Sequence, residues 1–253
     1  MGVVDNKVAL VTGGGSGIGQ ATALRLAEEG ARLVVADITI DGGEKTVAQI
    51  KAAGGEAIFV RTDVTKEAEC AALVAAALKQ YGKLDIAFNN AGIVGYPLLT
   101  ADYGLANWQR VIDVNLTGVF NCMTHEIQAM KQAGGGSIIN TASIMGLRGA
   151  VGGAAYCAAK HGVVGLTRAA ALEYGRKNIR INAVCPGYVE TPMTVGEDSI
   201  FPANKLEAGL DRAPIRRMAT PAEIGEAVVW LASDKASYVT GISIPVDGGV
   251  MAG

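Results

Sequence analysis

The stretch VALVTGGGSGIG, residues 8–19, decides the fold of this chain. Its first five residues are apolar or β-branched, which predicts a short strand buried on both faces. The glycine turn, residues 13–19, holds five glycines, and glycine tolerates the backbone angles that a sharp change of direction requires. The helical pattern GIGQATALRLAEEG begins at residue 17, so the strand passes through the turn directly into a helix. Such a unit is typical of an α/β fold.

The same alternation continues almost to the end of the chain. Seven short apolar runs predict strands at residues 8–12, 31–37, 57–63, 84–90, 137–143, 179–187 and 242–249. Ala- and Leu-rich stretches between them predict helices, among them residues 17–30, 42–54 and 66–82. Buried strands separated by amphipathic helices form a parallel sheet that is covered on both sides. We therefore predict a single doubly wound α/β domain of the Rossmann type over residues 1–253, with a parallel sheet of about seven strands.

Two segments interrupt this rhythm. Residues 91–108 look like a loop, and residues 188–220, which carry three prolines, form the longest interruption. Ligands of open parallel sheets bind beyond the carboxyl ends of the strands, and long loops there are usually functional. We expect residues 188–220 to form a substrate loop or lid, the alternative being a variable surface excursion.

Composition narrows the possible classes of function. Of the 253 residues, 50% are hydrophobic and 18% are charged, which is typical of a compact globular protein. A net charge of −2 without a basic cluster argues against nucleic acid or an anionic membrane as partner. Four widely spaced cysteines and two histidines argue against a zinc site and indicate a reducing compartment. With neither a signal-peptide pattern nor an apolar run of roughly 18 residues, we expect a soluble cytoplasmic protein.

The glycine turn has the composition of a phosphate-binding site. Backbone amides at the start of the following helix would face the negative charge of a pyrophosphate. Gly13, Gly17 and Gly19 are spaced as G-x-x-x-G-x-G, which differs from the G-x-G-x-x-G dinucleotide fingerprint. A tight strand-to-helix connection without a ligand is the alternative.

An acidic residue ends the second predicted strand. Asp37 lies 18 residues after Gly19, where a carboxylate can accept hydrogen bonds from both ribose hydroxyls of an adenosine and repel a 2′-phosphate. Ser16 and Ile38 stand where a basic residue would pair with that phosphate. The sequence thus favours NAD over NADP, the alternative being a solvated acid that caps the strand.

The segment AAYCAAKHG, residues 154–162, holds Tyr156 and Lys160 in an alanine-rich stretch that predicts a helix. Side chains four residues apart lie on the same helix face and can touch. The spacing by itself carries little weight, because such pairs also arise by chance.

In this order the motifs resemble those of the short-chain dehydrogenase/reductase family, and the resemblance spans nearly the whole chain. The glycine motif TGGGSGIG (12–19) and the segment NNAG (89–92), which would close the fourth strand beside the cofactor, are both similar to family motifs. The resemblance implies four catalytic positions: Asn115 in DVNLTG, Ser143 in NTAS, and Tyr156 and Lys160 in Y-x-x-x-K. With the residues above, it implies a cofactor site of Gly13, Gly15, Ser16, Gly17, Ile18, Gly19, Asp37, Asp63, Val64, Asn90, Tyr156, Lys160, Pro186, Gly187, Val189 and Thr191.

Two parts of that cofactor site are assigned by the resemblance alone. Asp63 and Val64 match the pair that family members place beside the adenine ring. Pro186 and Gly187, followed by Val189 and Thr191, resemble the segment that holds the nicotinamide carboxamide.

The implied activity is NAD(H)-dependent hydride transfer that interconverts a ketone and a secondary alcohol. Alkoxide character develops on the substrate oxygen, so the reaction needs a proton donor in one direction and a base in the other. Tyr156 would fill both roles, and a free phenol has a pKa near 10. Lys160 is expected to lower that pKa and to hydrogen-bond the nicotinamide ribose, while the Ser143 hydroxyl holds the substrate oxygen.

Asn115 has two possible roles. It is expected to bind a structural water that links Lys160 to solvent and completes a proton relay. The alternative is an amide that satisfies backbone groups near a helix start.

The residues expected to face the substrate are mostly apolar: Ile93, Val94, Tyr96, Ile144, Met145, Val151, Tyr188 and Met193, with lid residues from 194 to 213. They favour a neutral, cyclic or aliphatic ketone or secondary alcohol, unless Arg148 binds an acid. The alternative enzyme is a 3-oxoacyl-[acyl-carrier-protein] reductase that uses NADPH. The non-enzymatic alternative is an NAD-binding regulator, whose signature would be a broken Ser-Tyr-Lys set that this sequence lacks. Family members are commonly homotetramers that pair the helices around 108–133 and 154–176, and we expect the same here.

Overall fold

The fold is a doubly wound α/β sandwich, seen in a computed structural model that describes residues 2–195, 203–211 and 213–252. The strands are β1 Val8–Thr12, β2 Arg32–Asp37, β3 Ala57–Arg61, β4 Ile86–Asn89, β5 Gly136–Thr141, β6 Ile179–Pro186 and β7 Ser243–Val246. The helices are α1 Gly17–Glu28, α2 Ile40–Ala52, α3 Glu67–Tyr81, α4 Leu105–Ile112, α5 Gly118–Ala133, α6 Ala154–Tyr174, α7 Ala203–Leu210 and α8 Pro221–Ala232.

The sheet has the order β3-β2-β1-β4-β5-β6-β7, and all of its pairings are parallel. The predicted fold class, a doubly wound parallel sheet of about seven strands, is confirmed. The chain moves outward from β1 to β3 and then returns to place β4 on the other side of β1. The carboxyl ends of β1 and β4 therefore flank a crevice, which is where open parallel sheets bind their ligands.

Both faces of the sheet are buried, as parallel pairing requires. In β1, Leu10 joins one apolar core with α3, α5 and α6. Its neighbours Ala9 and Val11 join the other core, with α1, α2 and α8. The alternation of side chains along a strand therefore explains why residues 8–11 of β1 are all apolar, while the polar Thr12 stands at the end of the strand.

Helix α4 corrects one expectation. Residues 91–108 were expected to form a loop, yet α4 begins at Leu105. Its apolar residues Leu105, Trp108 and Val111 repeat every three residues, which is a helical spacing that the glycine at 104 and the short segment obscure. Helices α4 and α5 are joined by a π-helical turn over Asp113–Thr117.

Within the described residues, no helix is both long enough and apolar enough to cross a membrane.

Candidate active site

One cavity of about 400 Å³ opens along the carboxyl edge of the sheet. Its wall runs from Thr62 and Asp63, just after β3, to Pro186 at the end of β6. Neighbouring strands lie about 4.8 Å apart, so the ends of β2 and β5 are separated by roughly 14 Å across this cavity. The cavity is therefore extended along the sheet edge rather than round.

The glycine turn forms one side of the cavity with its backbone. Gly13 and Gly17 have φ angles of +63° and +52°, a region that residues with a side chain rarely adopt. A Cβ at Gly19 would lie 2.0 Å from the Gly13 oxygen, so the turn can pack against the start of α1 only with glycine there. Gly15 and Gly19 lie behind the cavity surface, whereas Gly13, Ser16, Gly17 and Ile18 line it.

Asp37 enters the cavity from the end of β2 with both carboxylate oxygens oriented. Its Oδ2 accepts a hydrogen bond from the Gly15 amide at 2.9 Å, and its Oδ1 accepts one from the Thr39 amide at 2.8 Å. These two amides hold the carboxylate at the cavity surface, and the neighbouring Ile38 side chain lines the same region. The second strand and the glycine turn thus meet at one polar end of the site.

Asp63, Val64 and Asn90 continue this side of the cavity. The Asp63 carboxylate accepts hydrogen bonds from the Thr65 amide at 3.0 Å and the Thr65 hydroxyl at 2.7 Å. The side-chain Nδ2 of Asn90 donates hydrogen bonds to the Thr12 and Gly13 carbonyls at 3.2 and 3.3 Å. We call residues 13–18, Asp37, Asp63, Val64 and Asn90 together the glycine wall.

Thr12 is a site residue that the sequence reasoning missed. Its hydroxyl accepts hydrogen bonds from the backbone amides of Asn90 at 3.0 Å and Ala91 at 3.1 Å, and Thr12 lines the cavity. These bonds join the end of β1 to the end of β4. A threonine at the last position of the strand before the glycine turn was the available signal.

Lys160 is buried at the far end of the cavity. Its Nζ donates a hydrogen bond to the Thr141 carbonyl at 2.7 Å, and the side chain is 2% exposed. Burial lowers the pKa of Lys160 to about 8, because a charged ammonium is poorly solvated there. The lysine is therefore anchored to the end of β5, with donors left for a further partner.

Tyr156 and Lys160 meet as the helical spacing predicted. The Lys160 Nζ lies 5.5 Å from the centre of the Tyr156 ring. Burial nevertheless raises the pKa of Tyr156 to about 12, although hydrogen bonding to the Ser143 hydroxyl acts in the opposite direction. The expected lowering of this pKa is wrong for the protein on its own, because burial away from water destabilises the charged phenolate.

Ser143 follows β5 and caps the short helical turn Ile144–Gly146. Its Oγ accepts a hydrogen bond from the Met145 amide at 3.1 Å. Since this hydroxyl also bonds with Tyr156, the two side chains present their oxygens at the same place in the cavity.

Asn115 lies in the π-helical turn, fully buried. Its Nδ2 donates to the carbonyls of Ile93 at 2.8 Å and Val111 at 2.9 Å, and its Oδ1 accepts from the Ile93 amide at 3.2 Å. The amide thus fastens the loop after β4 to the helix pair α4–α5. Both of its donors bond to backbone carbonyls, so a relay water would need another contact.

The segment after β6 lines the same cavity as Ser143, Tyr156 and Lys160. Pro186, Gly187, Val189 and Thr191 all line the cavity. The Thr194 hydroxyl, which the sequence reasoning did not single out, accepts from the Thr191 amide at 3.0 Å and donates to the Val189 carbonyl. The remaining expected lid residues 196–202 and 212 lie outside the described residues.

Opposite the glycine wall, six of the eight residues expected to face the substrate line the cavity. This apolar wall consists of Ile93, Val94, Ile144, Met145, Tyr188 and Met193. Tyr96 and Val151 do not line it, and they are 62% and 86% exposed. The Tyr96 ring instead lies 5.4 Å from the Arg110 guanidinium. Arg148 is also not part of the wall.

A nicotinamide dinucleotide, implied by the resemblance, fits the residues of this cavity. Gly13 and Gly17 line the cavity with bare backbone at the start of α1, where a pyrophosphate would bind. Asp37 offers oriented acceptors at one end, and Lys160 offers donors at the other. Of the sixteen cofactor positions predicted from the sequence, all but Gly15 and Gly19 line the cavity.

Comparison with known proteins gives matches along almost the whole chain. The family model described as enoyl-(acyl carrier protein) reductase matches residues 13–251. Cyclohexanol dehydrogenase of Acinetobacter sp. (strain SE19) is 48% identical over 244 residues, which are 96% of this chain and 94% of that protein.

Solved structures agree with these matches. The crystal structure of levodione reductase superposes with a TM-score of 0.93 at 40% identity and covers 98% of both chains. That of carveol dehydrogenase from Mycobacterium avium in complex with NAD superposes with a TM-score of 0.95 at 32% identity and covers 100% of both chains.

Proposed function

The chain belongs to the short-chain dehydrogenase/reductase family and is an oxidoreductase that interconverts secondary alcohols and ketones with a nicotinamide cofactor. We propose that it uses NAD(H) and that Tyr156 is the general acid and base. One observation carries this proposal. Tyr156, Ser143 and Lys160 meet at one end of a cavity whose other end holds the glycine turn and Asp37. The intact Ser-Tyr-Lys set also favours an enzyme over a non-enzymatic regulator.

The preference for NAD rests on charge. Asp37 presents a carboxylate where the adenosine ribose would bind, and an extra 2′-phosphate would meet this negative charge. The charged side chains among the described wall residues are Asp37, Asp63 and Lys160, and the lysine lies at the opposite end. Ser16 and Ile38 add no positive charge. The wall as described therefore supplies no cation for a 2′-phosphate.

In the proposed mechanism, bound NAD(H) accepts or supplies the hydride. When a ketone is reduced, the Tyr156 hydroxyl donates a proton to the substrate oxygen, and its raised pKa keeps the phenol protonated until that step. Ser143 donates a hydrogen bond to the same oxygen as negative charge develops. In the oxidation of an alcohol, Tyr156 would first lose its own proton to solvent. The resulting phenolate, stabilised by the protonated Lys160, would then accept the proton of the alcohol.

In the proposed function, Asn115 positions the backbone of Ile93 beside Lys160. Its amide holds the Ile93 backbone close to Lys160, since a Cβ on the intervening Gly92 would lie 2.7 Å from Asn115 Oδ1 and 3.7 Å from Lys160 Nζ. The proton relay from Lys160 to solvent through a water at Asn115 stays part of the proposal.

We propose a neutral alicyclic alcohol or ketone as the substrate. The apolar wall provides a surface for a hydrocarbon ring, and it contains no cation that would bind a substrate carboxylate. Cyclohexanol, the substrate named for the 48% identical relative, is a secondary alcohol on a six-membered ring and has this character.

The broader organisation is also proposed. The chain would act as a single domain over residues 1–253, with a substrate lid within residues 188–220, in the cytoplasm. We propose a homotetramer because α5 and α6 each expose a large apolar side chain, Phe120 at 55% and Leu172 at 86%.

The test is an initial-rate comparison of cyclohexanol oxidation with NAD and with NADP, followed at the absorbance of the reduced cofactor. We expect turnover with NAD at a kcat/KM at least about tenfold above that with NADP. The second candidate is a 3-oxoacyl thioester reductase, which shares the acyl-carrier-protein class of substrate with the enoyl reductase that describes the family model. Faster turnover of a 3-oxoacyl thioester with NADPH would favour that candidate, and binding of NAD without any turnover would favour a regulator.

A further inference from the structure

The Val64 loop, residues 62–66, connects β3 to α3 and forms part of the glycine wall. At its start, the Thr62 amide donates to the Asp37 carbonyl at 2.9 Å, which ties the loop to the sheet. Val64 at its centre belongs to no strand and is 8% exposed. The position of Val64 therefore depends on what lies behind it.

Helix α5 lies directly behind Val64. The Nδ2 of Asn121 donates a hydrogen bond to the Val64 carbonyl at 3.0 Å, from a residue 57 positions away in the sequence. The Cys70 thiol of α3 contacts the same carbonyl at 3.5 Å. The Val64 carbonyl is thus held from two helices.

The approach of α5 depends on a small residue. A Cβ on Gly118 would lie 2.7 Å from Val64 Cγ2, so only glycine allows the valine to rest against the helix. Asn121 and Cys122 follow three and four residues later and lie on the same face as Gly118. Cys122 completes a small apolar cluster with Val64 and Cys70.

The other polar bonds of the loop are local. Asp63 accepts from Thr65, and the Asp63 amide donates to Glu69 Oε2 at 2.7 Å. These partners belong to the loop and to α3, so they move together with it. Among the described residues, Asn121 makes the side-chain hydrogen bond that fixes the loop against α5.

Asn121 is also an unfavourable residue for its position in the interior of α5. Asparagine is a weaker helix former than leucine or alanine in the interior of a helix, and its amide is nine-tenths buried. Its Nδ2 bonds to a loop that lines the cavity and not to its own helix.

We infer that Asn121 is a positioning residue for cofactor binding. Its bond to the Val64 carbonyl holds Val64 in place at the end of the cavity that takes the adenosine half of NAD(H). This inference rests on the proposed function. Without the amide, the Val64 carbonyl loses its α5 donor and the valine can shift away from the nucleotide. The nicotinamide half binds beyond the end of β5, which lies four strand spacings or roughly 19 Å from the end of β3, and is not affected.

The test replaces Asn121 by leucine in the full chain. We expect the Kd values of NADH, measured by its fluorescence, and of adenosine monophosphate, measured by calorimetry, to rise about 3- to 10-fold. The Kd of nicotinamide mononucleotide and the kcat at saturating NADH should stay within about twofold of the wild-type values. The Asn121→Ala variant repeats the measurement without the bulk of leucine.

Thr124→Val is the matched control, because it removes a hydrogen bond on the same helix, from the Thr124 hydroxyl to the Phe120 carbonyl at 2.9 Å. It should leave all three Kd values unchanged. Wild-type affinity for adenosine monophosphate in both Asn121 variants, or an equal loss for the two half-molecules, would overturn the role of Asn121. If the wild type itself bound neither NADH nor adenosine monophosphate, the proposed function would fail instead.

Discussion

The two walls of the cavity are built in different ways. Residues of the glycine wall follow directly after strands and are held by hydrogen bonds, such as those from the Gly15 amide to Asp37 and from Asn90 to Thr12. The apolar wall comes from longer segments after β4, β5 and β6, and its side chains contribute mainly hydrocarbon surface. A ligand with fixed polar groups suits the first wall, and a variable apolar substrate suits the second.

The proposed catalytic residues lie where the two walls meet. Tyr156 and Lys160 come from α6, and Ser143 comes from the end of β5. Because the walls are built from different residues, substitutions should alter cofactor binding, catalysis and substrate preference separately. The following four predictions test this separation.

The largest effect is expected at the junction. Tyr156→Phe removes the hydroxyl that transfers the proton, so kcat should fall by about 100-fold or more. The Kd of NADH should change by less than about threefold, because the glycine wall is untouched. Steady-state kinetics and NADH fluorescence provide the two measurements.

The exposed Tyr238 offers a matched control, since Tyr238→Phe removes a hydroxyl far from the cavity and should leave kcat unchanged. Unchanged turnover in Tyr156→Phe would show that another group transfers the proton.

A change in the glycine wall should alter the choice of cofactor. Asp37→Ser removes the carboxylate, and hydrogen bonds to a charged group contribute about 1.5–3 kcal/mol. We therefore expect the ratio of kcat/KM for NADH to that for NADPH to fall by about 10- to 100-fold, with the order of alcohol substrates preserved.

Asp41→Ser serves as the control, because Asp41 is an exposed acid on α2 outside the cavity wall. A preserved preference for NADH in Asp37→Ser would mean that the NAD preference arises elsewhere.

A change in the apolar wall should act on the substrate and not on the cofactor. Met193→Ala shortens a side chain that lines the cavity, and losses of this size in an apolar site cost about 1–3 kcal/mol. The kcat/KM for cyclohexanol should fall by about 5- to 160-fold, with the Kd of NADH unchanged.

Val195→Ala is the matched control, because Val195 has nearly the same exposure, 38% against 37% for Met193, but does not line the cavity. Equal losses in the two variants would argue that the whole segment, and not the wall, sets the rate.

The smallest effect is expected behind the glycine wall and concerns stability alone. Glu126 of α5 is fully buried, and its Oε2 accepts a hydrogen bond from Asn89 Nδ2 at 2.9 Å. Burial raises the pKa of this carboxyl to about 8. The folded protein therefore holds a proton that the unfolded chain releases above pH 4.5, and this costs stability progressively as the pH rises from about 4.5 to about 8.

Glu126→Gln keeps an acceptor for Asn89 and removes this titration. At pH 7 the variant should be more stable by about 1–3 kcal/mol, which raises Tm by about 2–12 °C, and the gain should vanish near pH 4.5. Thermal unfolding between pH 4.5 and pH 8 measures it. The exposed Glu44 of α2 gives the control Glu44→Gln, and a gain that does not vary with pH would contradict the explanation.

Much of the molecule could be predicted from local pattern. The strand VALVT, the glycine turn and Asp37 at the end of the second strand lie in an order that is typical of a doubly wound sheet, and the sheet is present. The helical spacing of Tyr156 and Lys160 also brought the two side chains together. These features depend on residues close in sequence, and backbone geometry determines them directly.

Other features were decided only by the tertiary structure. The raised pKa of Tyr156 and the lowered pKa of Lys160 both follow from burial, which depends on the whole fold. The hydrogen bond from Asn121 to the Val64 carbonyl joins residues 57 positions apart, and no sequence motif predicted it. Tyr96 and Val151 matched the apolar pattern of the substrate wall but face outward. Sequence alone thus determined the order of the elements and the reacting groups, whereas long-range packing decided their solvation and their supporting contacts, because both depend on neighbours that are distant in the chain.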